Sequence, residues 1–467
     1  MKRDNIILIT IDTLRRDHCS CYGYERMTTP FLDSIAKKGV KFNHAFANGP
    51  LTPRSFPSIL CGVSTFAGKE DDISSCFLPQ NIETIAERLE KRGYYTVAFQ
   101  AGNPYLSKYY GYDRGFREYK DYLKADKKRS KAKGNKLILS LFGIFPKIMP
   151  IARKVRTFGR FTFGVMEKKK RILSKDLPFK RGREINADVK TWLNGYGEDG
   201  PLFLWIHYMD CHQPYIPDDN ARKELGIREY SVGQLARHWA EINDKFVRSS
   251  KQIQSLVDLY DCEIKYEDQV IEELFETMIE NSINENNSAF IITSDHGDEF
   301  GEHGGLGHEL KLYNEMLSVP LIFYGKGCEN YKSFSESLVE LKSIPNVILE
   351  LAEHDRASPL NNRFIISECL REEKGKYVRL ISIQNRDYKL IYDCGNEVYN
   401  EFYNLEEDKY EQTNLIDDRR YEREILEMKG IINKICTEKP GENTGEKLNE
   451  TEAEVVKKRL RDLGYLD

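Results

Sequence analysis

Three stretches of this chain gather the residue types that bind ions and move protons. The first is Ile11-Asp12-Thr13-Leu14-Arg15-Arg16-Asp17. The second is His207-Tyr208-Met209-Asp210-Cys211-His212-Gln213-Pro214-Tyr215. The third opens with Thr293-Ser294-Asp295-His296-Gly297-Asp298-Glu299, passes Glu302 and His303, and leads to His308 and Lys311. Five of the nine histidines, at 207, 212, 296, 303 and 308, fall in the last two stretches. Carboxylate oxygens beside imidazole nitrogens suit Ca, Mg, Mn or Zn. A lone Asp-His pair is often only structural. Asp295-His296, however, follows an apolar run and precedes a glycine-rich acidic loop, and that context points to one divalent ion.

A fourth stretch supplies hydroxyls: Gly49-Pro50-Leu51-Thr52-Pro53-Arg54-Ser55-Phe56-Pro57-Ser58-Ile59-Leu60-Cys61-Gly62. Thr52-Pro53 reads as a helix cap followed by a first-turn proline, with Gly62 as the stop. A hydroxyl at that position faces free amides and the positive end of the helix dipole, which favours an anion or an alkoxide. The plainer alternative is an ordinary cap.

Holding these groups together takes strands that end where the acids begin. Asn5–Ile11, Pro201–His207 and Ser288–Thr293 are apolar runs of the kind that form buried parallel strands. They stop close to Asp12, Asp210 and Asp295. Helical patterns at Thr29–Ala36 and Ile82–Arg92 alternate with them, and Tyr95–Phe99 reads as another strand. The fold class is therefore α/β: a mostly parallel sheet with helices on both faces and a site at the carboxyl ends of its strands. Further on, Tyr377–Ile383 and Tyr388–Tyr392 alternate around Arg386-Asp387, which predicts a hairpin. The expected division is a catalytic domain over 1–361, a small antiparallel subdomain over 362–418 and a charged helical tail over 419–467.

With 40% hydrophobic and 31% charged residues among 467, the chain can build a large core, which excludes disordered and collagen-like classes. Its 70 basic and 74 acidic residues give a net charge of −4, so no nucleic-acid partner is expected. That balance hides an asymmetry. Residues 120–183 hold 21 Lys and Arg against 4 Asp and Glu, leaving 49 basic against 70 acidic elsewhere. This segment interrupts the strand–helix rhythm and reads as an insertion. It is either a solvated excursion or a cationic amphipathic surface for anionic lipid or a polyanionic substrate. The N-terminal apolar run is too short for a signal peptide, and no stretch reaches the ~18 residues of a membrane span. The ten cysteines include no Cys-x-x-Cys pair. Mostly reduced thiols and a cytoplasmic location are expected.

Taken in order, these segments resemble the sulfatase family of the alkaline phosphatase superfamily. The resemblance rests on the opening strand with its acid, the helix ending in Ile59-Leu60-Cys61-Gly62, the His207-x-x-Asp210-x-His212-x-Pro214-Tyr215 pattern and Ser294-Asp295-His296-Gly297-Asp298. It extends to Leu312–Ile322, Tyr388–Ile391 and Phe402–Leu415. It implies an alkaline-phosphatase-like α/β/α sandwich with a small C-terminal α+β subdomain, acting on an anionic sulfate or phosphate ester.

The departures from that family's pattern matter as much as the matches. Sulfatases carry Cys or Ser in Cys/Ser-x-Pro-Ser-Arg and oxidise it to formylglycine. Counting back from Leu60-Cys61-Gly62 puts Thr52 at the nucleophile position and Phe56 at the arginine. A second register, Ser55-Phe56-Pro57-Ser58, puts Ser55 there instead. Oxidised threonine would be a ketone, not formylglycine. The family's Gly-Lys-Trp-His is replaced by Gln100-Ala101-Gly102-Asn103-Pro104-Tyr105. These changes lean toward relatives such as phosphonate monoester hydrolases and phosphoglycerol transferases. The resemblance then implies that Asp12, Thr52, Asp295 and His296 hold the ion, with Thr52 as nucleophile. His212 or His308 would protonate the leaving group and Lys311 would hold an ester oxygen, while Asn103, Ser55 and His207 would line the substrate. Asp210, His212 and His308 could instead form a second metal site. The competing function is an inactive sulfatase-fold binding protein, motivated by Phe56 and the missing Lys and His.

Overall fold

The computed structural model describes residues 3–64, 76–123, 164–197, 200–243, 249–373, 376–395, 400–437 and 450–463. Its centre is a seven-stranded sheet. The strands are β1 (Asn5–Ile11), β2 (Val40–Lys41), β3 (Tyr95–Gln100), β4 (Glu118–Lys120), β5 (Leu202–Tyr208), β6 (Ser288–Ser294) and β7 (Leu321–Gly325). They lie in the order β2-β7-β6-β1-β5-β3-β4. β1 pairs in parallel with both β5 and β6, whereas β7 runs antiparallel to β6.

The continuous apolar strands behave as their composition dictates, because both faces are covered. Ile7, Ile9 and Ile11 point into one core with α1 (Pro30–Lys38), whereas Ile6 and Leu8 point into the other with α2 (Thr52–Cys61) and α3 (Ile85–Glu90). The first core also holds α4 (Gly182–Gly195), α5 (Val232–Asn243) and α6 (Ser250–Glu280), and the second holds α7 (Ile344–Glu353). Thr84 caps α3 through a capping box with Glu87, so this helix starts later than the hydrophobic pattern alone suggests. Register brings Thr10 opposite both His207 and Thr293, and Ile11 opposite both Tyr208 and Ser294. Asp12 and Asp295 therefore leave adjacent strands side by side.

A four-stranded antiparallel sheet follows: β8 (Ile365–Glu373), β9 (Lys376–Gln384), β10 (Tyr388–Asp393) and β11 (Glu401–Asn404). The expected hairpin is its β9–β10 unit. The sheet packs on the catalytic body through one face and on α8 (Glu422–Thr437) through the other. Cys394 and Cys436 form a disulfide between the end of β10 and α8, so two of the ten thiols depart from the reduced state expected.

The charged tail is not one unit. While α8 covers the small sheet, α9 (Glu450–Leu463) returns to the catalytic body. There it buries Val456, Leu460 and Leu463, whose spacing makes one apolar stripe, against the segments around Pro104–Leu106 and Lys108–Tyr110. The insertion is also narrower than 120–183. Phe179 sits in the core, Lys180 N–H bonds the Ala101 carbonyl at 2.7 Å, and Arg181 pairs with Asp210 at 2.8 Å. Leu137–Phe145, the apolar part of that segment, lies outside the described residues.

One buried ion pair ties the small sheet to the body. Lys389, on β10, contacts Glu411 at 2.6 Å, and Glu411 also accepts from the Asn314 amide at 2.6 Å. Both charged side chains are almost fully excluded from water. Lys389→Met is expected to lower the unfolding free energy by about 3–5 kcal/mol, because it strands a buried carboxylate. Lys389→Met/Glu411→Leu should recover much of that loss, as read from urea denaturation midpoints.

Candidate active site

The carboxyl ends of β1 and β6 deliver Asp12 and Asp295, both fully buried. Asp12 Oδ2 accepts from Asn103 Nδ2 at 2.8 Å and lies 3.4 Å from His207 Nε2. Asp295 Oδ1 accepts from the backbone amides of His296 at 3.0 Å and Thr13 at 3.3 Å. Thr13 presents its amide from a left-handed conformation, φ 58°, costly for a β-branched residue and found where surroundings enforce it. The other oxygens, Asp12 Oδ1 and Asp295 Oδ2, are buried without a hydrogen-bond partner.

Those two orphaned oxygens share their space with His296. Its Nδ1 donates to the Gly297 carbonyl at 2.9 Å, leaving Nε2 as the lone-pair nitrogen. Nε2 lies 3.5 Å from Asp295 Oδ2 and 3.9 Å from Asp12 Oδ1. Asp12, Asp295 and His296 each offer a ligand atom within 4.8 Å of the others. Two carboxylates and an imidazole, inward-facing and uncompensated, fit a divalent cation. Burial raises the pKa of Asp12, but the hydrogen bond from His207 and the charges of His212 and His296 outweigh it, leaving Asp12 below the usual carboxylate range. Asp295 moves the other way, raised by burial and then by the Asp12 charge.

Thr52 joins this cluster. Its Oγ1 is 3.4 Å from His296 Nε2 and accepts from Asn103 Nδ2 at 3.4 Å. Thr52 is not the helix cap. Leu51 holds that position in an extended conformation, and its carbonyl accepts from the amides of Arg54 and Ser55, each at 2.9 Å. Thr52 is thus the first helical residue, and its hydroxyl turns to the acids. Ser55 lies three residues further along α2, its hydroxyl buried without a hydrogen-bond partner, and the side chains that converge on Asp12 and Asp295 converge on Thr52 instead.

The structure adds contacts to several of the expected residues. Asn103 directs its side-chain amide at both Asp12 and Thr52. His207 is also a support. Thr10 Oγ1 accepts from Trp205 Nε1 at 2.9 Å and sits 3.0 Å from His207 Nδ1, which turns Nε2 to Asp12. Lys311 is held by Glu299 at 2.7 Å, Glu309 at 3.3 Å and the His303 carbonyl at 3.0 Å, so its charge is spent on that loop. Asp210 pairs with Arg181 and accepts from Gly182 N at 2.9 Å, which removes it from any joint metal site with His212 and His308. The Phe56 ring lies edge-on to His207 at 5.1 Å and tilted to Trp205 at 5.4 Å.

His212 and His308 do flank the cluster. Their rings are 4.9 Å apart, and His308 is 5.4 Å from His296. His212 Nδ1 faces its neighbour's carbonyl at 2.6 Å, and burial pushes its pKa down to about 4. His308 Nδ1 is bound to Asp298 at 2.9 Å, and Tyr215 donates to the other oxygen of Asp298 at 3.0 Å. Asp298, Tyr215 and Arg15 lie in the stretches singled out in the sequence, where Tyr215 and Arg15 have no assigned role; the structure places all three beside this cluster. Arg15 binds Asp17 at 2.8 Å, Glu302 at 2.6 Å and the Asp298 carbonyl at 2.9 Å, fixing the loop. Only its place three residues after Asp12 could have marked it.

The central sheet thus presents paired acids, imidazoles and a helix-borne hydroxyl at its strand ends. The Sulfatase family profile matches residues 4–352, and the chain belongs to that family. An arylsulfatase of Clostridium perfringens is 24% identical over 477 aligned residues, covering 92% of this chain and 94% of the relative. The phosphonate monoester hydrolase of Agrobacterium radiobacter superposes with a TM-score of 0.63 at 15% identity, over 93% of this chain and 95% of that one. The C-terminal periplasmic domain of Escherichia coli EptC, solved in complex with Zn, superposes with a TM-score of 0.52 at 15% identity, over 80% and 91%. The fold is shared, and the chain is an ester hydrolase of this family rather than a bare binding module.

If the Asp12–Asp295–His296 cluster takes a divalent ion, chelation should lower the melting temperature of the wild-type protein and added Mn, Zn, Ca or Mg should restore it. Asp295→Ala should lose bound metal by elemental analysis and show no chelator-dependent shift.

Proposed function

We propose that the chain cleaves a phosphate ester, using Thr52 as nucleophile and one divalent ion as electrostatic support. The observation that carries this reading is the Thr52 hydroxyl, 3.4 Å from both His296 Nε2 and Asn103 Nδ2, on a residue that cannot become formylglycine. An ion held by Asp12, Asp295 and His296 would favour the ionised hydroxyl and offset charge on the reacting group. Asn103 holds Thr52 Oγ1 in line with Asp12. Thr52 stands at the positive end of the α2 dipole, which favours negative charge on its oxygen. Thr52 Oγ1 attacks phosphorus, forming a threonyl phosphoester as the bond to the leaving alcohol breaks. The proton for that alcohol is assigned to Nε2 of His308 when both ring nitrogens carry protons, with Nδ1–H held by Asp298. His212, with Nδ1 bonded to the Gln213 carbonyl, lies beside the His308 ring at 4.9 Å. Water or an acceptor alcohol then releases the phosphoryl group and restores Thr52.

A sulfate ester is the second reading, favoured by the likeness to the arylsulfatase over nearly the whole chain. Against it stands Phe56, which leaves no guanidinium at the position that accompanies formylglycine in sulfatases.

Activity separates these readings. With metal supplied, the wild-type protein should turn over aryl phosphate mono- or diesters faster than aryl sulfate. Thr52→Ala should fold normally and lose at least about 10³-fold in kcat, whereas Ser55→Ala should lose far less. Near-wild-type turnover by Thr52→Ala would refute the assignment. A formylglycine at position 55 would favour the sulfate reading.

A further inference from the structure

The described part of the basic segment includes a helix over residues 164–173 with two dissimilar faces. Its inner face is anchored. Ile172 packs on the core, Lys168 and Arg171 lie over the Trp239 ring at 5.5 and 5.1 Å, and Arg171 pairs with Asp462 of α9 at 3.2 Å. Its outer face consists of Met166, Lys169, Lys170 and Leu173, spaced i, i+3, i+4 and i+7, and all four are exposed. Met166 is 70% exposed and Leu173 is 65% exposed, the two most exposed large hydrophobic side chains among the described residues. Exposed Glu167 borders this face three residues before Lys170, and neither Lys169 nor Lys170 forms a salt bridge among the described residues.

Water solvates the two ammonium groups well but not the apolar side chain at each end. A bilayer surface answers both parts. Methionine and leucine can enter the boundary between headgroups and acyl chains, while lysine ammoniums stay level with lipid phosphates. The charge of the surrounding sequence agrees. Residues 120–183 hold 21 basic against 4 acidic residues in a protein that is otherwise acidic, so attraction to an anionic surface is concentrated on this segment. The inner anchor also relates this face to the catalytic centre. α9, which Arg171 grips, lies against Pro104–Leu106 just after Asn103, and the carbonyl of its Leu463 accepts from Gln213, next to His212, at 3.5 Å.

We infer that the outer face of the 164–173 helix docks the protein on an anionic membrane surface, with Lys169 and Lys170 contacting lipid phosphates and Met166 and Leu173 entering the interface. Docking at this place holds the ester-cleaving site near the bilayer.

Co-sedimentation of the full chain with vesicles tests this. The wild-type protein should pellet with vesicles of mixed phosphatidylglycerol and phosphatidylcholine, and should be released as salt is raised. It should not pellet with phosphatidylcholine alone. Lys169→Gln/Lys170→Gln should weaken vesicle binding by roughly thirtyfold. Met166→Ser/Leu173→Ser should weaken binding while leaving turnover of a soluble aryl ester unchanged. Equal binding to phosphatidylcholine, no vesicle binding at low salt, or undiminished binding by both double variants would each overturn the inference. So would a preference for a soluble polyanion such as RNA over anionic vesicles in a competition experiment.

Discussion

Asp12 and Asp295 stand side by side at the ends of adjacent parallel strands, without exposure to water. Two like charges in such a place repel strongly, and the low dielectric around them magnifies the effect. Much of the surrounding structure serves to offset it. Backbone amides of Thr13 and His296 cradle Asp295, while Asn103 and His207 take one oxygen of Asp12. One oxygen of each acid is still left over, both near His296 Nε2, which the Thr52 hydroxyl also approaches. A cation bound there would offset both charges, and the three inward-facing ligand atoms fit one.

The neighbourhood of Thr52 is consistent with a change of chemistry rather than decay of a site. A formylglycine enzyme needs an oxidisable residue and the arginine that accompanies it. Here the first is Thr52, whose extra methyl group blocks aldehyde formation. The second is Phe56, which is packed against His207, Trp205 and Tyr112 instead of leaving a void. The supports of the site remain intact around them. Thr10 and Trp205 still orient His207, and Asp298 with Tyr215 still orients His308. Erosion would be expected to reach these second-layer bonds, because nothing but the site requires them.

Much of this was legible in the sequence because burial leaves a strong mark. Strands covered on both faces read as continuous apolar runs, so β1, β5 and β6 were visible, and with them the positions of Asp12 and Asp295. The hydroxyl helix announced itself through Thr52-Pro53 and Gly62. Direction was harder to read than position. Nothing in the chain order says that Asn103 points at Thr52, or that Glu299 captures Lys311. Those outcomes depend on which partner lies within reach in three dimensions. The cap was misplaced by one residue because the Leu51 carbonyl, not a side chain, begins the helix. The return of α9 to the catalytic body was hidden by its high charge, which masks a stripe of only three apolar residues among those described.

The central claim is that a hydroxyl on Thr52, unmodified, carries the transferred group. The direct measurement is to mix the metal-loaded enzyme with an aryl phosphate ester, quench in acid during turnover, digest, and sequence the peptide spanning Leu51–Cys61 by mass spectrometry. The account predicts a threonyl phosphoester at Thr52 that is absent without substrate. An adduct on Ser55, a formylglycine anywhere in that peptide, or steady turnover with Thr52 unmodified at every quench time would contradict it.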